Sequence, residues 1–311
     1  MRVSNIGARI AIATVAASCL LASCSSPPPP TLAAQRCYRS GDHVIDECTR
    51  AIQSGQLAPK ELIISYIYRG DGFIQAKDYD RAIADFNEAI QLEPTSADAY
   101  DGRGTAHFAK GEIDEAIADD DEAIRLGPKY GGAHTNRGVS WYAKGDKVRA
   151  LADFDEAIRL DANDLQAHAA RGYLHFDSGE FTAAISDLRP VAQKMANPHP
   201  ALVLYLAQTR SSQDGTVELK ANSERVKSQT WVQSVIDLYL GQSTPSSVLE
   251  AAQTTDDRCN VQFYVGEWQL IQNNRAAAIA QLRNAVAGCP KSFVVYRGAV
   301  AELARLGQPS P

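Results

Sequence analysis

Ala82-Ile83-Ala84-Asp85-Phe86-Asn87-Glu88-Ala89-Ile90 is the stretch on which the fold turns. Its apolar residues fall at i, i+1, i+4, i+7 and i+8, the stripe of an amphipathic helix. The same columns return along the chain. Ala82, Ala116, Ala150 and Ala184 are spaced by 34 residues, as are Asp85, Asp119, Asp153 and Asp187. Phe86, Phe154 and Leu188 share a column in which Asp120 is the exception, and Ala89, Ala123 and Ala157 share another. Upstream, Arg69-Gly70, Arg103-Gly104, Arg137-Gly138 and Arg171-Gly172 keep the step of 34. Pro94 and Pro128 close two of the units. A fixed period of this length marks a repeat array, in which each unit buries its apolar face only against its neighbours. Each unit reads as two helices whose small residues let them approach closely. The proline stops the second helix before the next unit begins.

Columns of Gly, Ala and Ala with a closing Pro resemble the tetratricopeptide repeat. That resemblance implies an all-α fold, a right-handed superhelical solenoid of antiparallel helix pairs. Four repeats are predicted within 63–198, at 63–96, 97–130, 131–164 and 165–198. The last lacks a closing Pro in register and carries Pro190 inside its second helix. A further repeat is predicted at 259–292, with Gly266, Ala278, Ala285 and Pro290 in the matching columns. An N-terminal half-repeat occupies 37–62. Over 199–258 the register lapses, although Leu202 to Gln208 and Trp231 to Leu240 still read as helices. Ser243-Thr244-Pro245 reads as a cap with proline at the first helical position. Residues 293–311 are predicted to supply a capping helix, Phe293 to Leu306, and a tail, because the last face of a solenoid has no neighbour.

The first residues address the chain elsewhere. Arg2 and Arg9 precede the apolar stretch Ile10 to Leu21, which at 12 residues is too short to span a bilayer as a helix. Residues 1–23 therefore read as a signal peptide. Leu21-Ala22-Ser23-Cys24 looks like the lipobox of bacterial lipoproteins, in which the cysteine becomes the acylated first residue, and Cys24 is the predicted lipidation site. The alternatives are an ordinary secretory signal or a short anchor. Acyl chains such as palmitate, at about 0.8 kcal/mol per buried methylene, hold a protein stably on a membrane. Ser25 at the following position implies sorting to the outer membrane. The chain is thus expected to be exported and lipid-anchored, on the periplasmic face of the outer membrane. Residues 24–36 read as a linker in which Pro27 to Pro30 favour a stiff polyproline II spacer.

Charge and cysteines narrow the partners. Of 311 residues, 45% are hydrophobic, and 31 Lys plus Arg against 37 Asp plus Glu give a charge of −6. Removing Arg2 and Arg9 with the leader leaves 29 − 37 = −8. An acidic chain with no basic run excludes nucleic acid as a partner. Of six cysteines, Cys19 leaves with the leader and Cys24 takes the lipid, so four remain. Cys259 and Cys289 sit at the same end of a predicted helical hairpin and are expected to pair. Such a loop stabilises by roughly 3–4 kcal/mol on the loop-entropy estimate. Cys37 and Cys48 are expected to staple the half-repeat. No His or Cys pair stands at metal-ligand spacing, so neither a metal nor a cofactor is predicted.

Other residues carry paired readings. The Arg69, Arg103, Arg137 and Arg171 column has an Asp column sixteen residues later. This reads either as a ladder of Arg–Asp pairs, within or between repeats, or as a basic strip in the groove for a carboxylate-ended peptide. The acidic run from Glu112 to Glu122 lacks the alternation of a calcium loop and reads as a solvated helix face. Asp120 stands where other repeats bury Phe, and His107 stands in the column of Phe73 and Trp141, so a buried His107–Asp120 pair is expected. Gly102 and Gly104 lie within a helix and make no nucleotide loop. First helices face inward in the resembling family. That implies a protein-binding groove of Ile67, Asp71, Ile74, Asp101, Thr105, Phe108, Thr135, Asn136, Val139, Tyr142, Tyr173 and Phe176.

Cys259-Asn-Val-Gln-Phe-Tyr-Val-Gly-Glu-Trp268, Cys289-Pro290 and Tyr296-Arg-Gly-Ala-Val-Ala-Glu-Leu-Ala-Arg-Leu-Gly307 are similar to the end of the new-lipoprotein-I type of tetratricopeptide lipoprotein. That resemblance implies a non-catalytic outer-membrane adaptor that brings peptidoglycan hydrolases to a protease, and a homodimer. The Pro spacer and the extra cysteines depart from that type. Two rival readings stand beside it. One is an enzyme within 200–257, whose Glu218, Glu224 and Asp237 show no paired-carboxylate spacing. The other is an assembly subunit of a pilus or secretion apparatus.

Overall fold

The computed structural model describes residues 31–39, 43–225, 230–291 and 293–309. The predicted signal peptide, Cys24 and Pro27 to Pro30 lie outside them. Among the described residues every regular element is a helix. Helices α1 (Leu32–Arg39) and α2 (Val44–Gln53) form the leading hairpin. Four pairs follow: α3 (Pro59–Gln75) with α4 (Tyr79–Leu92), α5 (Ala97–Lys110) with α6 (Ile113–Leu126), α7 (Gly131–Ala143) with α8 (Lys147–Leu160), and α9 (Leu165–Ser178) with α10 (Phe181–Lys194). Four helices occupy the stretch where the repeat lapses: α11 (Pro198–Arg210), α12 (Thr216–Ser223), α13 (Thr230–Tyr239) and α14 (Pro245–Glu250). A last pair, α15 (Thr255–Ile271) and α16 (Arg275–Gly288), precedes the terminal α17 (Val294–Arg305).

Helix boundaries follow from local chemistry. Asp78, Asp146 and Asn274 each accept a hydrogen bond from a backbone N–H in the first turn of a second helix, and Ser96 and Asp164 cap first helices in the same way. The turn inside every pair holds one residue in the left-handed region: Lys77, Gly111, Gly145, Gly179 and Asn273, with φ between 58° and 93°. Glycine takes three of the five because it adopts that conformation without a Cβ clash. α3 and α15 start a turn earlier than the internal first helices; Thr254 and Asp257 form a full capping box on α15, and on α3 Glu61 accepts the Ala58 N–H. Residues 32–36 depart from the sequence reading. They belong to α1 rather than to a linker, because Thr31 accepts the Ala34 N–H and donates its own N–H to Glu61.

The glycine after each column arginine lies against the column of Phe86, Asp120, Phe154 and Leu188 in its own repeat. A Cβ on Gly70 would stand 2.9 Å from the Phe86 ring, and one on Gly138 2.6 Å from Phe154. Gly138→Ala is therefore expected to destabilise by about 1–3 kcal/mol through overpacking. The gain in helix propensity, about 1 kcal/mol, offsets this only in part. Urea titration reads the difference.

The irregular stretch is the thickest part of the core. α11 packs on α10 and α9, and its Leu202, Leu204 and Leu206 are fully buried. Trp231, Val235 and Ile236 of α13 join Tyr264 of α15 in the same cluster. His199 lies between Trp231 and Tyr264, its Nδ1 2.7 Å from the Tyr264 hydroxyl. Burial pushes the His199 imidazole down to about 4, so it is neutral above that pH. Disulfides join Cys37 to Cys48 and Cys259 to Cys289, with Cα atoms 4.4 and 5.2 Å apart. The array curls far enough to bring Lys77, in the first turn, within 3.6 Å of Asp256 at the start of α15.

Candidate functional site

Two systems of polar side chains run along the repeats. On one side the column arginines meet the column aspartates. Nε and Nη2 of Arg69, Arg103, Arg137 and Arg171 donate to both carboxylate oxygens of Asp85, Asp119, Asp153 and Asp187 at 2.6–2.9 Å. Nη1 reaches back toward the preceding unit, to Thr49, Asn87, Asp121 and Asp155. Each guanidinium thus binds within its repeat and between repeats. Fork-to-fork geometry matches the planar guanidinium to carboxylate. Burial alone would raise Asp153, but hydrogen bonds from His134 and Arg137 outweigh it and hold the carboxyl below its ordinary value. The ladder reading stands and the basic strip does not: these arginines turn to the second helices, not into a groove.

His107 also differs from expectation. Its Nδ1 lies 2.6 Å from Glu112 and its Nε2 3.8 Å from Asp119. The left-handed Gly111 turns the chain back so that Glu112 meets the imidazole five residues earlier. His175, Gly179 and Glu180 repeat the arrangement. Asp120 is buried, with an oxygen 2.9 Å from where a Gly104 Cβ would lie. A recurring His-Phe-x-x-Gly-Glu at 107–112 and 175–180 is the sequence signal for this pairing.

The second system is the inner face formed by the first helices α3, α5, α7 and α9, where the twelve predicted groove residues lie. The structure divides them. Tyr142, Tyr173 and Phe176 are covered by the chain itself, because α17 packs on α9 and α15. Phe176 belongs to the main core cluster with Val295 of α17, and Tyr173 and Val294, both partly buried, pack against it. Tyr142 is buried and donates its hydroxyl to Asp177. Arg297 of α17 stacks over the Tyr142 ring at 4.8 Å. Asp101 and Thr135 are buried too. Tyr130 donates to one oxygen of Asp101 at 3.1 Å and Asn136 to the other at 2.6 Å, while Thr135 donates to the Gly131 carbonyl. Ile67, Asp71, Ile74, Thr105, Phe108, Asn136 and Val139 remain partly exposed. The terminal helix therefore narrows the predicted groove to its α3–α5 side and the adjoining part of α7.

The seat of α17 holds charges that sequence columns did not reveal. Glu267 of α15 and Glu302 of α17 are both buried, and Arg210 of α11 lies 2.9 Å from Glu267 and 3.4 Å from Glu302. Arg305 pairs with Glu302 and donates to the carbonyls of Phe176 and Asp177 at 3.2 and 3.0 Å. Burial, then repulsion from Glu302, raises the Glu267 carboxyl well above the carboxylate range. Burial pushes Asp177 up to about 6. Both groups bind protons more tightly folded than unfolded. Their contribution is complete below the ordinary carboxylate values and is lost as pH rises, for Asp177 through about 6 and for Glu267 above that. The docking of α17 is expected to be firmer at pH 5 than at pH 8. Glu267→Gln should flatten that difference, read by hydrogen exchange of α17 amides.

Two of the carboxylates of the irregular stretch are held in side-chain hydrogen bonds. Glu218 accepts from Arg189 and Gln208, and Asp237 from Gln233. Among the described residues no group of His, Cys, Asp and Glu is arranged to hold a metal ion, and no helix is long and apolar enough to cross a membrane.

The tetratricopeptide-repeat profile matches residues 69–131, 121–164 and 135–200. A tetratricopeptide repeat protein from Parabacteroides merdae ATCC 43184 superposes with a TM-score of 0.51, at 13% identity over 87% of this chain and 97% of its own. Pseudomonas aeruginosa pilF superposes with a TM-score of 0.50, at 14% identity over 78% of this chain and 99% of its own. A chain of the APC/C hetero-tetramer Cut9-Hcn1 gives 0.54, at 15% identity over 83% and 52%. These likenesses establish the fold.

Proposed function

From a tetratricopeptide-repeat protein, its repeats matched over residues 69–200, we infer a non-catalytic scaffold that is exported, lipid-anchored through Cys24 and holds other envelope proteins on its inner face. The observation that supports this most directly is the division of that face. α17 takes the α9 side, while Ile67, Ile74, Phe108 and Val139 stay partly exposed on α3, α5 and α7. Partly exposed apolar side chains beside polar ones, on a rigid concave support, suit a segment of another protein. Peptidoglycan hydrolases and a degrading protease are the partners proposed, acting at the outer membrane, with the scaffold itself a homodimer.

A photo-crosslinking residue in place of Val139, in cells making the acylated protein, is expected to trap envelope hydrolases or proteases. Recovery of no other envelope protein under several growth conditions would overturn the scaffold reading. Cys24→Ser is expected to move the chain from the membrane fraction to the soluble one. Its retention on the membrane would remove the lipid anchor from the proposal.

A further inference from the structure

We propose that the surface formed by Leu32 and Arg36 of α1 with Lys60 and Ile64 of α3 lies on the bilayer that holds the chain's own acyl groups. This rests on the lipid anchor at Cys24 proposed above, and it adds the face that the anchored chain turns to the membrane.

The leash is short. Seven Cα–Cα steps separate Cys24 from Thr31, and at about 3.3–3.6 Å each they reach at most about 25 Å. α3, with its 17 residues, is itself about 25 Å long. Thr31 of a lipidated chain therefore stays within one such helix length of the lipid. The end of the leash is also fixed to the body of the protein. The Thr31 N–H donates to Glu61 at 2.6 Å, and the Tyr38 hydroxyl donates to the Glu61 carbonyl at 3.2 Å. Cys37–Cys48 ties α1 to α2. The membrane thus meets the start of α1 and the first turns of α3, which the Thr31–Glu61 bond holds together.

That end carries the side chains a bilayer surface accepts. Leu32 is 66% exposed and Ile64 39%. Leu32 and Arg36 stand four apart on α1, and Lys60 and Ile64 stand four apart on α3, so each apolar residue shares a helix face with a cation. Arg36 and Lys60 are exposed as well. Apolar side chains can enter the acyl margin while the long cations keep their charge among the phosphates. Glu61, the acid between them, is occupied by the Thr31 and Ala58 N–H groups. The other exposed large apolar residues, Leu92, Val148 and Val217, stand singly on α4, α8 and α12.

Charge divides the chain in the same sense. Residues 31–60 hold four Lys and Arg against three Asp and Glu, 4 − 3 = +1, whereas residues 61–311 give 25 − 34 = −9. An anionic bilayer attracts the first part and repels the second. The field acts only within a Debye length, about 8–10 Å, so it orients a chain that the leash has already brought close.

The test uses the full acylated chain in vesicles of phosphatidylethanolamine and phosphatidylglycerol. An apolar fluorescent amino acid replaces Leu32 or, in separate preparations, Val148 or Val217. Lipids bearing a nitroxide near the headgroup are expected to quench the probe at position 32 and to spare the other two. Arg36→Gln with Lys60→Gln should weaken the docking equilibrium on the order of tenfold, with flotation and circular dichroism unchanged. Ile64→Ser, which alters no charge, should weaken it at every salt concentration. Flotation with the vesicles keeps the two readings apart. A chain that floats with all three probes quenched alike, or with none quenched, keeps the anchor and overturns the docking. Energy transfer between copies labelled at position 32, without quenching by lipid, also overturns it and puts a second copy on that face. A chain that does not float removes the anchor and the docking together.

Discussion

Removing α17 by ending the chain at Lys291 is expected to cost at least about 5 kcal/mol of stability in the C-terminal half. Val295, Ala299 and Leu303 are all but fully buried. Burying a Val or Leu side chain contributes roughly 1.5–3 kcal/mol. The truncation also bares Phe263 and Phe176, and leaves Asp177 and Tyr142 without Arg297 above them. A solenoid whose last face loses its cap exposes a whole apolar layer. Hydrogen exchange should show α15 and α16 losing protection while α3 and α4 keep theirs, and a hydrophobic dye should bind the truncated chain. Gly298→Val separates docking from chain length. A Cβ there would stand 2.8 Å from the Phe263 ring, so the valine should lift α17 without deleting it. If α15 keeps full protection in both variants, α17 is not its cap.

Breaking the ladder at its centre should have the next largest effect. Arg137→Ala leaves Asp153 buried with the His134 ring, at 3.5 Å, as its remaining side-chain neighbour, and leaves Asp121 without its Arg137 partner. Removing one partner of a buried pair costs about 3–5 kcal/mol, and the partial exposure of Arg137 puts the expectation near the lower figure. Replacing both partners by apolar residues of similar volume, Arg137→Met with Asp153→Leu, is expected to recover most of that loss, because no charge is then left buried unpaired. Urea titration of the two variants decides. A double variant as unstable as the single one would show that the ladder contributes more than removal of the stranded charge explains.

Much of this was legible in the chain. A step of 34 placed the helix pairs, and a spacing of sixteen between Arg137 and Asp153 made their salt bridge one of two readings, between which only the geometry decides. The His107–Asp120 expectation failed for a local reason: the turn at Gly111 delivers Glu112 to the imidazole first. The groove was half legible. Nothing in a repeat pattern announces that Arg305 will reach the Asp177 carbonyl across 128 residues, or that Glu267 and Glu302 will share Arg210. Those contacts arise once in the chain, with no second copy to phase them. The irregular stretch hid its role for the same reason. Its leucines and aromatics follow no column, yet they fill the largest core.

The two disulfides have a consequence for how the molecule opens. Repeat arrays ordinarily fray from their ends, where each unit has one neighbour instead of two. Here Cys37–Cys48 closes the leading hairpin and Cys259–Cys289 closes the final pair. With both ends sewn, the cheapest opening moves inward, like a zip stopped at each end that can part only along its teeth. The repeat at 97–130, where the buried Asp120 stands in the column of Phe86 and Phe154, is the expected place for that opening. Reducing the two bridges is therefore expected to move the first opening from the middle of the array to its ends.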